Sequence, residues 1–133
     1  MLESELRQQM SIDYADLHPL VLSRAATAEL NYVRGLGSSP SLLLASGNLG
    51  GYEALLYIIS AGDAGVPVYD VIKNVETCYA SQSGILLRLK AMREMGILEE
   101  RPGKKKSQVC LAASEQFARE LGPLLLARQG PSI

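Results

Sequence analysis

Tryptophan is absent from this 133-residue chain, and phenylalanine and histidine occur once each, as Phe117 and His18. Tyrosine supplies the six remaining aromatic side chains, so the core is expected to be aliphatic, built from Leu, Ile, Val and Ala as in packed helices. Two cysteines, Cys78 and Cys110, make no disulfide framework and have no metal-ligand spacing; both read as reduced, semi-buried thiols. The longest apolar runs, Leu42–Ala45 and Ala54–Ile59, fall far short of the roughly 20 residues that span a bilayer. Met1–Met10 carries Glu3, Glu5 and Arg7 and has no apolar core, which is not the pattern of a signal peptide. A cytoplasmic protein without a membrane partner is expected. His18, just before Pro19, reads as a polar helix-end residue rather than a catalytic one. No paired carboxylates, nucleophile with a base or metal cluster stand at recognisable spacing, so no catalytic residue, metal or cofactor is assigned and an enzyme is not expected.

An excess of one charge sign is also lacking. The formal net charge is −1, which offers no global attraction to nucleic acid or to an anionic membrane. The distribution says something different. Residues 1–72 hold three basic and eight acidic side chains, leaving −5, whereas residues 73–106 hold eight basic and four acidic, leaving +4. The near-neutral total conceals a basic segment containing Lys73, Arg88, Lys90, Arg93, Arg101, Lys104, Lys105 and Lys106.

What is present is enough for one small folded unit: 47% of residues are apolar and 20% charged, unlike a disordered tail. A short helix is predicted over Leu2–Met10, and a longer one over about Leu17–Leu36 with Asp16 as its cap and Pro19 in its first turn. The longer helix has two apolar stripes, Val21, Ala25, Ala28 and Tyr32 on one side and Leu22, Ala26, Leu30 and Val33 nearly opposite. One stripe suits the domain's own core; the second needs another surface, most simply a partner subunit. A short apolar piece, Ser41–Ser46, and a glycine turn over 47–51 precede a helix over about Leu49–Ala61, with Tyr52, Leu55, Leu56 and Ile59 on one face.

Val66–Val68 reads as a very short extended piece and Tyr69–Val75 as two helical turns. Ser81 and Ser83 are alternative caps for a helix running to Met95, with Gly96 placed to end it and Ile85, Leu89 and Met92 as its inward stripe. Gln82, Ser83, Leu87 and Lys90 then point away from that stripe. Strands are predicted over Ile97–Arg101 and Gln108–Ala112, joined by a hairpin over Pro102–Lys106. Ser114 caps a last helix with Phe117, Leu121, Leu124 and Leu125 on one face, and Pro123 is expected to kink it.

The segment Leu86–Pro102 resembles the recognition-helix-to-wing segment of winged helix-turn-helix regulators, and is most similar to those of the multiple antibiotic resistance regulator (MarR) type. Val109–Ala118 resembles that family's second wing strand and the start of its C-terminal helix, and the likeness covers about residues 49–126. It implies a mainly α fold with a small β-hairpin wing and with N- and C-terminal dimerisation helices. The corresponding divisions are a dimerisation extension over 1–46, a winged DNA-binding domain over 47–113 and a dimerisation helix over 114–133. Leu86 and Leu87 stand where the family often shows Thr and Arg, and Leu87 either touches thymine methyl groups or marks a protein-binding face.

The physics runs the same way. A helix in the major groove presents small and polar side chains near its N-terminus, where Ser81, Gln82 and Ser83 stand. Lys104, Lys105 and Lys106 at a hairpin tip suit the flanking minor groove or the backbone, and Lys73, Lys90 and Arg101 are further candidates for phosphate contact. The expected function is a homodimeric DNA-binding transcriptional regulator that reads a roughly palindromic site of double-stranded DNA with helix 81–95 and wing 102–106. A small-molecule effector, if there is one, would sit between the dimerisation helices and the winged domain. The alternative is a winged-helix module that binds protein through Leu86 and Leu87.

Overall fold

The computed structural model describes residues 18–75, 80–105 and 107–129. The helix expected over Leu2–Met10, the Asp16 cap, Cys78 and Lys106 lie outside the described residues. Along the chain run α1 (Pro19–Leu36), α2 (Pro40–Ser46), α3 (Leu49–Ser60), β1 (Val66–Pro67), α4 (Val68–Asn74), α5 (Gln82–Glu94), β2 (Leu98–Pro102), β3 (Val109–Ala113) and α6 (Glu115–Gln129). The protein is thus mostly helical with a small sheet, as the resemblance implied, and β1 adds a third strand to the expected hairpin.

Helix starts follow local chemistry. Ser39 Oγ accepts from the Leu42 amide at 3.1 Å to open α2, and Asn48 Oδ1 accepts from the Gly51 amide at 3.0 Å to open α3. The apolar piece Ser41–Ser46 is therefore a helix, begun by a serine and a proline that suits the first helical position. At α1 the cap is His18, whose Nδ1 accepts from the Leu20 amide at 3.1 Å. Helix α1 thus opens at Pro19, two residues after the expected start.

The sheet has the order β1-β3-β2 and is antiparallel throughout, with Val66 opposite Leu111 and Arg101 opposite Cys110. Both long strands lie one residue beyond their predicted spans. The helix–strand–helix–helix–strand–hairpin–strand order from α3 to β3 is a winged helix-turn-helix arrangement, with the β2–β3 hairpin as its wing.

The core lies where α3, α4 and α5 meet the sheet. Leu55, Ile58, Val71 and Leu111 are fully buried, and the inward stripe of α5, Ile85, Leu89 and Met92, is buried as its spacing required. Helix α3 turns a different face inward from the one expected. Gly51, Ala54, Leu55 and Ile58 are buried, whereas Tyr52, Leu56 and Ile59 are half-buried. The small residues let α5 approach closely, so that the Arg88 stem lies against Gly51. Apolar spacing alone weights large side chains and missed this.

Helix α6 begins where Ser114 is fixed between wing and helix: its amide donates to the Ile97 carbonyl at 2.8 Å, and its Oγ accepts from the Phe117 amide at 3.1 Å. The helix continues through Pro123 as one element. It returns antiparallel to α1, with Arg128 beside Glu29 and Leu124 against Gly35. The first turn of α1, carrying Leu20, Val21 and Leu22, therefore runs past the last described turn of α6. No single helix among the described residues is long and apolar enough to cross a membrane.

Candidate nucleic-acid interface

Helix α5 has the organisation of a helix that serves two surfaces. Its cap is Ser81 rather than Ser83: Ser81 Oγ accepts from the Gly84 amide at 3.2 Å and lies 3.1 Å from Ser83 Oγ. Gly96, at φ +77°, ends the helix and turns the chain into the wing. With Ile85, Leu89 and Met92 buried, helical spacing sends Ser83, Leu87 and Lys90 to the opposite side, and all three are exposed. Ser81 and Gln82 are exposed at the N-terminal end, and Lys73 is exposed in the last turn of α4. The structure thus brings Gln82, Ser83, Leu87 and Lys90 onto one helix, with Ser81 as its cap, and all five are exposed among the described residues.

The wing closes through Gln108. The Gly103 amide donates to the Gln108 carbonyl at 3.1 Å, the Gln108 amide donates to the Lys105 carbonyl at 3.0 Å, and the Lys104 amide donates to Gln108 Oε1 at 3.1 Å. One residue, through its backbone and its side chain, therefore sets the position of the tip. Lys104 and Lys105 are exposed there.

Two arginines of the basic segment are already engaged. Arg101 Nη1 donates to Glu99 Oε2 at 2.7 Å, and Arg93 Nη2 lies 3.2 Å from Glu100 Oε1. Arg101, a candidate for phosphate contact, pairs with a neighbouring carboxylate on the same strand. Among the described residues no ion pair holds Lys73, Lys90, Lys104 or Lys105. The spacing of Glu99 and Arg101, two apart on a strand, places them on one face and carried the signal for their pair. The Arg93–Glu100 pair crosses the Gly96 turn and was not readable without its geometry.

A second feature lies between α1 and α6. A groove of about 440 Å³ is lined by Thr27, Asn31, Tyr32, Leu124, Ala127 and Arg128, among others. Burial raises the Tyr32 hydroxyl above the ordinary phenol range; Arg128 pulls it down and Glu29 pushes it up. The groove lies between the two long helices themselves, not between them and the winged body.

No family model matches the chain, and no curated protein matches it by sequence. Among solved structures it is similar to the YusO protein from Bacillus subtilis, with 12% identity and a TM-score of 0.49 over 96% of this chain and 76% of that one. It is also similar to the transcriptional repressor CouR bound to a 23-mer DNA duplex, with 10% identity and a TM-score of 0.49 over 90% of this chain and 78% of that one.

Proposed function

We propose that this chain is a DNA-binding transcriptional regulator of the MarR type, working in the cytoplasm as a homodimer. The observation that carries the reading is the division of α5: a buried stripe anchors it, and its outer face presents Ser83, Leu87 and Lys90 to solvent. A wing with exposed Lys104 and Lys105 follows it directly. In this reading Ser81, Gln82 and Ser83 face base edges, and Lys73, Lys90 and the wing lysines face phosphates. Arg101 serves the wing through Glu99.

Dimerisation is supported by α1. Of its two apolar stripes, one turns Ala28 and Tyr32 toward α6 while its Val21 and Ala25 are exposed, and in the other Leu22, Leu30 and Val33 are exposed. A second copy supplies the missing surface, and two α5 helices then enter successive major grooves about 34–36 Å apart on a roughly palindromic site. A small-molecule effector, where one acts, would change that separation.

The test is affinity for duplex DNA at two salt concentrations. Six to ten phosphate contacts predict a loss of roughly 10³–10⁵ between 50 and 200 mM salt. Absence of binding to any duplex at low salt sinks the reading. The exposure of Leu86 and Leu87 favours one other reading, a protein-binding winged helix. Replacing Lys104, Lys105 and Lys106 by alanine separates the two, since it weakens DNA binding and leaves an apolar protein contact nearly intact.

A further inference from the structure

We infer that Leu87, with Leu86 beside it, reads the 5-methyl groups of thymine, so that the protein selects sites with A·T pairs under the middle of α5. This rests on the reading of α5 as the helix that enters the major groove. Leu87 occupies the centre of the outer face and is 68% exposed, and Leu86 is 47% exposed on its flank. A leucine neither donates nor accepts a hydrogen bond, so the oxygen, nitrogen and amino groups of the base edges offer it nothing. The apolar group displayed in the major groove is the thymine methyl.

The neighbours of Leu87 narrow the choice further. Ser83 lies one turn before it and Lys90 one turn after, so the apolar surface is small and bounded by polar groups. A stable protein interface needs about 800 Å² from each partner, far more than two leucines in a polar frame supply. Lys90 is held by no ion pair among the described residues and stands ready for a phosphate beside the same groove. The usual guanine reader is an arginine forked onto O6 and N7. Neither arginine of α5 stands on its outer face: helical spacing puts Arg88 on the flank, where its stem lies on Gly51, and Arg93 pairs with Glu100. Gln82, exposed at the N-terminal end, has the amide that pairs with adenine. The face is thus equipped for A·T pairs and poorly equipped for G·C.

The experiment uses the full chain and a duplex enriched from a random pool at 50 mM salt. Each thymine of the enriched half-site is replaced in turn by deoxyuridine, which deletes the methyl and keeps the pairing. At one or two positions per half-site affinity should fall by roughly 3- to 10-fold, the effect of losing one buried methyl contact. Leu87→Ala should bind the thymine and uracil duplexes equally, with an unchanged melting temperature because the side chain is exposed. Two outcomes overturn the inference while leaving DNA binding intact: uracil duplexes bound as tightly as thymine ones, or a uracil effect that persists in Leu87→Ala. A chain that binds duplex at low salt but enriches no sequence overturns the inference alone; absence of binding to any duplex overturns the DNA reading, and this inference with it.

Discussion

Arg128 near the end of α6 grips Glu29 of α1 with two hydrogen bonds, from Nε to Oε2 at 2.7 Å and from Nη2 to Oε1 at 3.0 Å. The same guanidinium lies 4.7 Å from the centre of the Tyr32 ring. One arginine therefore ties the two long helices together by a fork and by a ring contact. Because both charged side chains are about half exposed, screening limits the pair to the upper part of the surface range. Arg128→Ala is expected to cost about 1–2 kcal/mol in urea unfolding, the ion pair and the ring contact together. Arg128→Lys should recover only part, because an ammonium cannot make the fork.

Tyr32 predicts an opposite sign. Its hydroxyl is buried and makes no hydrogen bond, so Tyr32→Phe removes a desolvated group without breaking a contact. The variant is expected to be neutral or more stable by up to about 1 kcal/mol. The pH dependence should change as well. Burial raises the folded-state pKa, so the unfolded tyrosine ionises first. The contribution is fully present below the ordinary phenol value and is lost as pH rises through the raised one. Alkaline unfolding should therefore shift upward in Tyr32→Phe.

The wing can be tested through its geometry and through its charge. A Cβ at Gly103 would stand 2.7 Å from Gln108 Cβ and 2.8 Å from the Gln108 carbonyl oxygen, the atom that Gly103 itself bonds. Gly103→Ala must open the hairpin, at about 1–3 kcal/mol, and displace the lysines it positions. Lys104→Ala and Lys105→Ala should leave stability within about 0.5 kcal/mol, since both side chains are exposed. Each should reduce the salt dependence of DNA affinity by about one unit of slope. Unchanged affinity and slope in all three variants would place the wing away from DNA.

Glu99 and Glu100 make a further prediction. They hold Arg101 and Arg93 beside the proposed reading helix, so the wing strand withdraws two guanidinium groups from phosphate. Glu100→Gln frees Arg93 and removes a negative charge. Affinity for non-specific duplex should rise and the salt slope steepen by about one, while stability changes by less than about 1 kcal/mol. An unchanged slope would mean that Arg93 does not face the duplex.

The parts that were legible in the sequence are those fixed by a short-range period or by a single residue type. Ile85, Leu89 and Met92 recur at helical spacing and are buried; Gly96 ends α5 in the left-handed region; Pro102 and Gly103 mark the hairpin. What escaped depends on shape or on distance along the chain. The buried face of α3 is set by Gly51 and Ala54, whose smallness admits α5, and a pattern weighted by large apolar residues cannot see it. The α2 helix spans only Pro40–Ser46 and holds its place through buried Leu42 and Ala45, with little helical period to detect. The Glu29–Arg128 fork joins residues 99 apart, which no local pattern connects. At the candidate interface the sequence named the lysines and the outer face of α5, but not which arginines the protein keeps for itself.

The exposed stripe of α1 carries the last prediction. Leu22, Leu30 and Val33 are 55, 46 and 54% exposed, and they are spaced to form one apolar strip along the helix. Leu30 is exposed among the described residues, so in a single chain Leu30→Glu should leave the folded protomer nearly as stable as before. In a homodimer it places a carboxylate in a contact that excludes water, which costs several kcal/mol unless the charge is paired. Sedimentation velocity is expected to show the wild-type chain as a dimer and Leu30→Glu as a folded monomer. DNA affinity should then fall much further than in the wing variants, because two linked reading helices gain from effective concentration and a single one does not. A wild-type monomer, or a Leu30→Glu dimer with unchanged dissociation, would show that this stripe meets some other surface.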